Sequence, residues 1–202
     1  MPVTVGKMIP SQYEYFGVEQ HNADIAEIVS DRTDPVRVIG QVVGNWESDL
    51  DTAVAFATKD LYTEREEHND YLYVTKMSDR MSTLAKISAA IGFTTANAQV
   101  QMQRPGSVMP RHQDPAANFV NPYRIQVLVA LAPWEYGQYL FFNNTVVREW
   151  QVGDVIYTDF SNVWHSTANM SWHTRPLLQI IGTPGKQLQQ LITTNEKHIF
   201  QL

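Results

Sequence analysis

With 202 residues, 44% of them hydrophobic and 18% charged, the chain can bury a substantial core, which excludes the disordered and fibrous classes. Fifteen basic residues against 21 acidic ones, a formal net charge of -6, disfavour binding driven by a nucleic-acid backbone, and no local basic patch offsets that balance. There is no cysteine, so disulfide frameworks, thiolate zinc sites and iron–sulfur clusters are excluded and any metal must be held by His, Asp or Glu.

The opening "MPVTVGKMIPSQYEYFG" lacks a basic segment followed by an apolar run, and no apolar stretch reaches membrane-spanning length. The expectation is a soluble, cytoplasmic protein without a membrane partner. The first 92 residues read as mostly helical. In "NADIAEIVSD", Asn22 is an N-cap candidate and Ile25, Ile28 and Val29 share a face. "ESDLDTAVAFATKDLYTEREEH" spaces Leu50, Val54 and Leu61 helically. In "SDRMSTLAKISAAIGF", Ser78 is the cap candidate, and Met81, Leu84, Ile87 and Ile91 form an apolar stripe ended by Gly92.

From residue 95 the period changes to two. "ANAQVQMQ" alternates Ala98, Val100 and Met102 with Gln99, Gln101 and Gln103, which predicts a strand with one apolar and one amide face. "YRIQVLVALAP", "QYLFFNN", "TVVREWQ", "DVIYTDF" and "RPLLQIIGTP" follow as short strands separated by turns at Pro133, Gly137 and Gly153, a spacing that predicts an antiparallel sandwich or barrel. The chain is therefore expected to be a single domain over 1–202, with 1–94 as a mainly helical support region, 95–184 as the β core and 185–202 as a C-terminal helix or tail.

His112 and Asp114 stand one residue apart in "GSVMPRHQDPAANF". Six His and 21 acidic residues supply about 0.6 His-x-acid pairs by chance in a chain of this composition, so the pair gains weight only from its context. His68-Asn69-Asp70 has the same form but lies in the charged run "EREEHND", where a solvated helix end is the expectation. His112 and Asp114 sit instead at a strand-to-loop junction, and residues i and i+2 of an extended segment point to one side. His165, in "NVWHSTANMS", supplies a third donor. Two imidazoles and one carboxylate suit non-haem Fe(II) with open positions; zinc would imply hydrolysis. Arg175 begins the strand "RPLLQIIG", and a buried guanidinium there points to an anionic cosubstrate.

The ordered set His112-x-Asp114, His165 and Arg175, on a predicted antiparallel barrel, resembles the Fe(II)/2-oxoglutarate-dependent oxygenases. That resemblance implies a mostly β fold with N-terminal helices, built on a double-stranded β-helix of the jelly-roll, cupin-like kind. Over about residues 97 to 184, "NPYRIQVLVALAP" and "VREWQVGDVIYTDFSNVWHSTANMSWHTRPLLQI" are similar to the aspartyl/asparaginyl β-hydroxylase branch and the related free-proline hydroxylases. Some aspartyl hydroxylases lack the metal carboxylate that Asp114 provides here, which brings the proline-hydroxylase side closer.

The resemblance implies Fe(II) held by His112, Asp114 and His165, and 2-oxoglutarate held by Arg175 with Gln101 in reach. It implies hydroxylation of an aliphatic C–H group in an amino acid or peptidyl residue, releasing succinate and carbon dioxide. Halogenating members lack the carboxylate, so Asp114 favours hydroxylation. Arg124 and Gln126 share one strand face and are expected to meet a carboxylate-bearing small-molecule or peptide substrate, with Trp164 beside them. Trp134 reads as a core aromatic or pocket wall, and Asp159 as a loop cap or a hydrogen-bond partner of a ligand imidazole. Asn169 reads as a turn residue and His173 as a solvated loop His. Two other classes compete: a cupin-like metalloenzyme that needs no cosubstrate, and a barrel serving only as a binding module.

Overall fold

The computed structural model describes residues 36–60, 72–76, 82–114, 124–194 and 196–202. The helix expected at "NADIAEIVSD", the cap candidate Ser78 and the pair His68 and Asp70 lie outside the described residues. Strand β1 (Val36–Val43) comes first, followed by helix α1 (Glu47–Asp60), β2 (Leu72–Lys76) and helix α2 (Ser82–Ile91). Then come β3 (Phe93–Gln103), β4 (Ser107–His112), β5 (Ile125–Ala130), β6 (Gln138–Phe142), β7 (Thr145–Val147), β8 (Asp154–Thr158), β9 (His165–Asn169) and β10 (Arg175–Pro184). Helix α3 (Lys186–Thr193) and β11 (His198–Gln201) end the chain.

The strands form two sheets. The larger runs β11-β1-β8-β5-β10-β3-β2 and the smaller runs β4-β9-β6-β7. Pairing is antiparallel except where β11 joins β1 in parallel. The sheets face each other across a cavity in the jelly-roll manner of a double-stranded β-helix.

Alternation along the strands separates two apolar clusters. One face of the large sheet, with Val100, Met102, Val127, Val155 and Ile180, packs under Ala53 of α1, Leu84 and Ile87 of α2 and Leu188 of α3. The opposite face contributes Leu128, Ala130, Ile156 and Leu177, which meet Leu140 and Phe142 of the small sheet. Burying both faces at about 25 cal/mol per Å² of apolar surface is what drives two sheets and three helices into one body.

Several local expectations change. β1 and β2 stand within the region expected to be mainly helical support, and β11 follows the C-terminal helix. The strand pattern of β1 is hard to read in sequence because Gly40 interrupts "VRVIGQVV". That glycine is needed: a Cβ there would lie 2.4 Å from the His198 carbonyl oxygen of β11. Helix α2 starts at Ser82, and the carboxylate of Asp49 on α1 accepts the Thr83 and Leu84 amides at 2.7 and 3.0 Å. A side chain from another helix thus satisfies the free N–H groups of the first turn. Gly92 ends α2 with a φ of +100°, the left-handed conformation glycine adopts without strain.

Candidate metal centre and cosubstrate pocket

His112 closes β4 and His165 opens β9, and the two residues are register partners in the small sheet. Their rings lie 4.2 Å apart. Asp114 follows β4, its amide donating to the Phe160 carbonyl at 2.9 Å. The Asp114 Oδ1 atom stands 3.5 Å from His112 Nε2 and 3.6 Å from His165 Nε2. One donor atom from each residue falls within 4.8 Å of the others, so the three side chains could hold a single metal ion.

The second nitrogen of each ring is already occupied. His112 Nδ1 contacts the Pro110 carbonyl at 2.6 Å and His165 Nδ1 contacts the Val163 carbonyl at 3.0 Å. A carbonyl can only accept, so these contacts put the proton of a neutral imidazole on Nδ1 and leave the Nε2 lone pairs facing Asp114. Burial alone would raise the Asp114 carboxyl, but before a metal displaces them, protons on Nε2 of His112 and His165 would donate to it and, with the charge of the rings, hold it well below the usual carboxylate range. The Asp114 carboxylate in turn raises His112, against the opposing effect of burial. Phe160 meets the His165 ring edge-on at 5.0 Å and restrains it. The donor set, two neutral nitrogens and an ionised carboxylate on adjacent strand ends, fits a divalent transition metal with positions left open.

The donors border a cavity of about 300 Å³ between the sheets. Arg175 lines the same cavity and is 2% exposed. Its Nη1 donates to the Tyr139 carbonyl at 3.1 Å, and its guanidinium carbon lies 5.9 Å from the centre of the Trp150 ring. Its Nε has no hydrogen-bond partner, and no carboxylate among the described residues pairs with it. Burial pushes its pKa down to about 9, which still leaves it cationic at neutral pH. A buried cation without a counter-ion among the described residues is costly unless an anion meets it, so this end of the cavity fits an anionic group such as a carboxylate.

Gln101 and Gln126 line the cavity. Arg124 and Trp164 are not among its lining residues. Arg124 is half-buried, and its Nη2 donates to the Ile181 carbonyl at 3.4 Å. Trp164 is 46% exposed and carries the guanidinium of Arg111 5.7 Å from its ring centre. Asp159 serves its own loop, accepting from Ser161 Oγ at 2.7 Å and Asn162 Nδ2 at 2.8 Å. His173 pairs with Glu135 at 2.9 Å. Trp134 donates its Nε1 hydrogen to the Gln138 carbonyl at 2.6 Å and packs against the inter-sheet cluster.

Asn169 does more than shape a turn. Fully buried at the end of β9, it donates to the Gln103 and His173 carbonyls at 2.8 and 2.9 Å and accepts from Ser171 N and Oγ at 3.1 and 2.7 Å. It ties the two sheets together beside Arg175, whose register partner is Gln103. Sequence reasoning missed it because each partner is a backbone or hydroxyl group brought close only by the fold.

No protein-family model matches the chain, and no curated protein matches it in sequence. Solved structures do match. A prolyl hydroxylase from Trichoplax adhaerens, in complex with a hypoxia-inducible-factor oxygen-degradation-domain peptide fragment, aligns over 92% of this chain and 97% of its own, with 13% identity and a TM-score of 0.54. The non-haem α-ketoglutarate-dependent epimerase SnoN from nogalamycin biosynthesis aligns over 79% and 82%, with 16% identity and a TM-score of 0.49. A cupin domain protein from Salinispora arenicola covers 66% and 92%, with 13% identity and a TM-score of 0.35. What the chain shares with the Trichoplax hydroxylase, at this identity, is its double-stranded β-helix fold.

Proposed function

We propose that the protein is an Fe(II)- and 2-oxoglutarate-dependent oxygenase that hydroxylates an aliphatic C–H group of an amino acid or peptidyl residue. The observation that carries this reading is the uncompensated guanidinium of Arg175, buried in the same cavity as an open two-histidine, one-carboxylate donor set. The fold shared with the Trichoplax prolyl hydroxylase agrees with this reading.

Iron, 2-oxoglutarate and dioxygen, when bound, would supply the oxidising chemistry: dioxygen is the four-electron oxidant, one of its oxygen atoms ending in the substrate hydroxyl and the other in succinate as carbon dioxide leaves. The residues of the chain do the rest. His112, His165 and Asp114 hold the metal through Nε2, Nε2 and a carboxylate oxygen, with ring orientation set by Pro110 and Val163. Arg175 takes the distal carboxylate of the cosubstrate, and the Tyr139 carbonyl and Trp150 ring keep its guanidinium in place. Leu128, Phe142, Phe160 and Leu177 give the cavity apolar walls that exclude water.

The test is iron-dependent succinate release from 2-oxoglutarate, measured with an amino-acid and peptide panel. Turnover that needs both iron and Arg175 is the expected result. Stoichiometric metal binding with no affinity for 2-oxoglutarate would overturn the reading in favour of a cupin-like metalloenzyme.

A further inference from the structure

Register arranges the inner face of the large sheet into rows. Arg175 pairs with Gln103; Leu177 lies between Gln101 and Ala130; Gln179 lies between Gln99 and Leu128; Ile181 lies between Asn97 and Gln126. At about 3.3 Å per residue, the row of Gln126 is roughly 20 Å along the strand from Arg175. Away from Arg175, the wall therefore passes from a cation, through Leu177, to a band of side-chain amides.

Three observations mark that band as a recognition surface. Gln99 donates its Nε2 hydrogen to Gln179 Oε1, which still leaves the Gln99 oxygen and the Gln179 N–H groups to offer. Gln126 is 3% exposed and its Oε1 has no partner. A half-turn about its terminal torsion, a broad two-fold well, exchanges oxygen and nitrogen on the cavity side, where a ligand can supply the missing donor. Finally, among the described residues the only charged or titratable side chains lining the cavity are His112, Asp114, His165 and Arg175, and all four serve the metal and the cosubstrate.

We infer that the substrate presents a neutral amide, a C=O beside an N–H, to the band formed by Gln99, Gln179 and Gln126. This deepens the oxygenase reading and rests on it. One amide meets another as donor to acceptor twice over, using both the oxygens and the N–H groups of the band, whereas a carboxylate can use only the N–H groups and, among the described residues, the nearest cation on this face, Arg124, is already engaged with the Ile181 carbonyl. The Arg124 carboxylate contact expected from the sequence is the competing reading that the test must separate from this one.

A backbone amide and a carboxamide side chain share this chemistry, and three probes separate them: N-acetylalanine N-methylamide, L-glutamine, and isobutyrate, a carboxylate with no amide. Each is titrated into the Zn(II)-loaded protein, with and without 2-oxoglutarate, while NMR follows the side-chain NH2 signals of Gln99, Gln126 and Gln179. The signals are assigned through single Gln→Leu variants.

A saturable shift of the Gln126 and Gln179 signals by the capped amide points to a peptide substrate; a shift by glutamine alone points to a free amino acid. Either supports the inference, provided isobutyrate binds about tenfold more weakly and Gln126→Leu costs the amide probe about tenfold in affinity. Equal or tighter binding of the carboxylate-ended probe overturns it, as do signals that no probe moves. The wild-type titration keeps the inference testable even if a variant fails to fold. Since the readout needs no turnover, a protein that binds amides without releasing succinate sinks the oxygenase reading and spares this one.

Discussion

The two sheets treat their polar groups in opposite ways. On the small sheet, the polar side chains of the metal centre are tied into the protein: His112 and His165 to backbone carbonyls, Asp114 between the two imidazoles. On the large sheet, two cavity-lining side chains, Arg175 and Gln126, each bury a polar atom, Nε and Oε1, that has no partner among the described residues. A site organised before its ligand arrives looks like the first; a site that its ligand completes looks like the second. The small sheet is set to hold an ion in fixed geometry, and the large sheet to receive organic groups that bring their own charge and hydrogen bonds.

This contrast is most exposed to refutation at the metal centre. Structural zinc sites bind with ~10–16 kcal/mol, so each of three ligands carries about 4 kcal/mol, near a thousandfold in affinity. Asp114→Ala and His165→Ala are each expected to lose metal on that scale in anaerobic Fe(II) titrations, while Arg175→Met keeps it. Metal retained by His165→Ala would mean that the small sheet is not the ion-holding one.

Arg175→Met probes the large sheet. Loss of a buried, hydrogen-bonded charge partner is expected to weaken 2-oxoglutarate by about 3 kcal/mol, roughly 150-fold. The same variant in the free protein should melt at the wild-type temperature or above it, because an uncompensated buried charge gives way to an apolar side chain. A clear fall in melting temperature would show that Arg175 is satisfied without a ligand.

Asn169 sits where the sheets join, and its four hydrogen bonds leave buried groups stranded when it is removed. Asn169→Ala is expected to cost about 2–3 kcal/mol of stability, a drop of roughly 5–10 °C in melting temperature for a domain of this size. The smallest effect belongs to Trp164, half-exposed outside the cavity. Trp164→Ala should change stability by under about 0.5 kcal/mol and leave metal affinity within about twofold. A larger loss of substrate binding in that variant would return Trp164 to the site.

Much of this architecture is legible along the chain, because it depends on local periodicity. The alternation of Gln99, Gln101 and Gln103 with Val100 and Met102 predicts β3 whatever surrounds it, and the stripe of Leu84, Ile87 and Ile91 predicts α2. The i, i+2 spacing puts His112 and Asp114 on one side of an extended segment. What periodicity leaves open is which face meets water. The amide face of β3 suits water and a site equally by its period, and it is helices α1, α2 and α3 covering the apolar face that turn the amides into the cavity. β1 and β11 are invisible to it for a related reason: Gly40 weakens the one, and the other depends on pairing with a strand from the far end of the chain and on burying Phe200 in the core they share.

Residue order alone was enough for the two-residue and helical periods, for the absence of thiolate ligands and for the succession of His112, Asp114, His165 and Arg175, all properties of neighbours in the chain. It took the packed fold to bring His112 and His165 face to face across two strands, to make Asp49 the cap of a helix it does not belong to, and to bury Arg175 Nε and Gln126 Oε1 without partners. Burial and hydrogen-bond satisfaction are sums over everything that packs around an atom, and most of those neighbours arrive from distant parts of the chain.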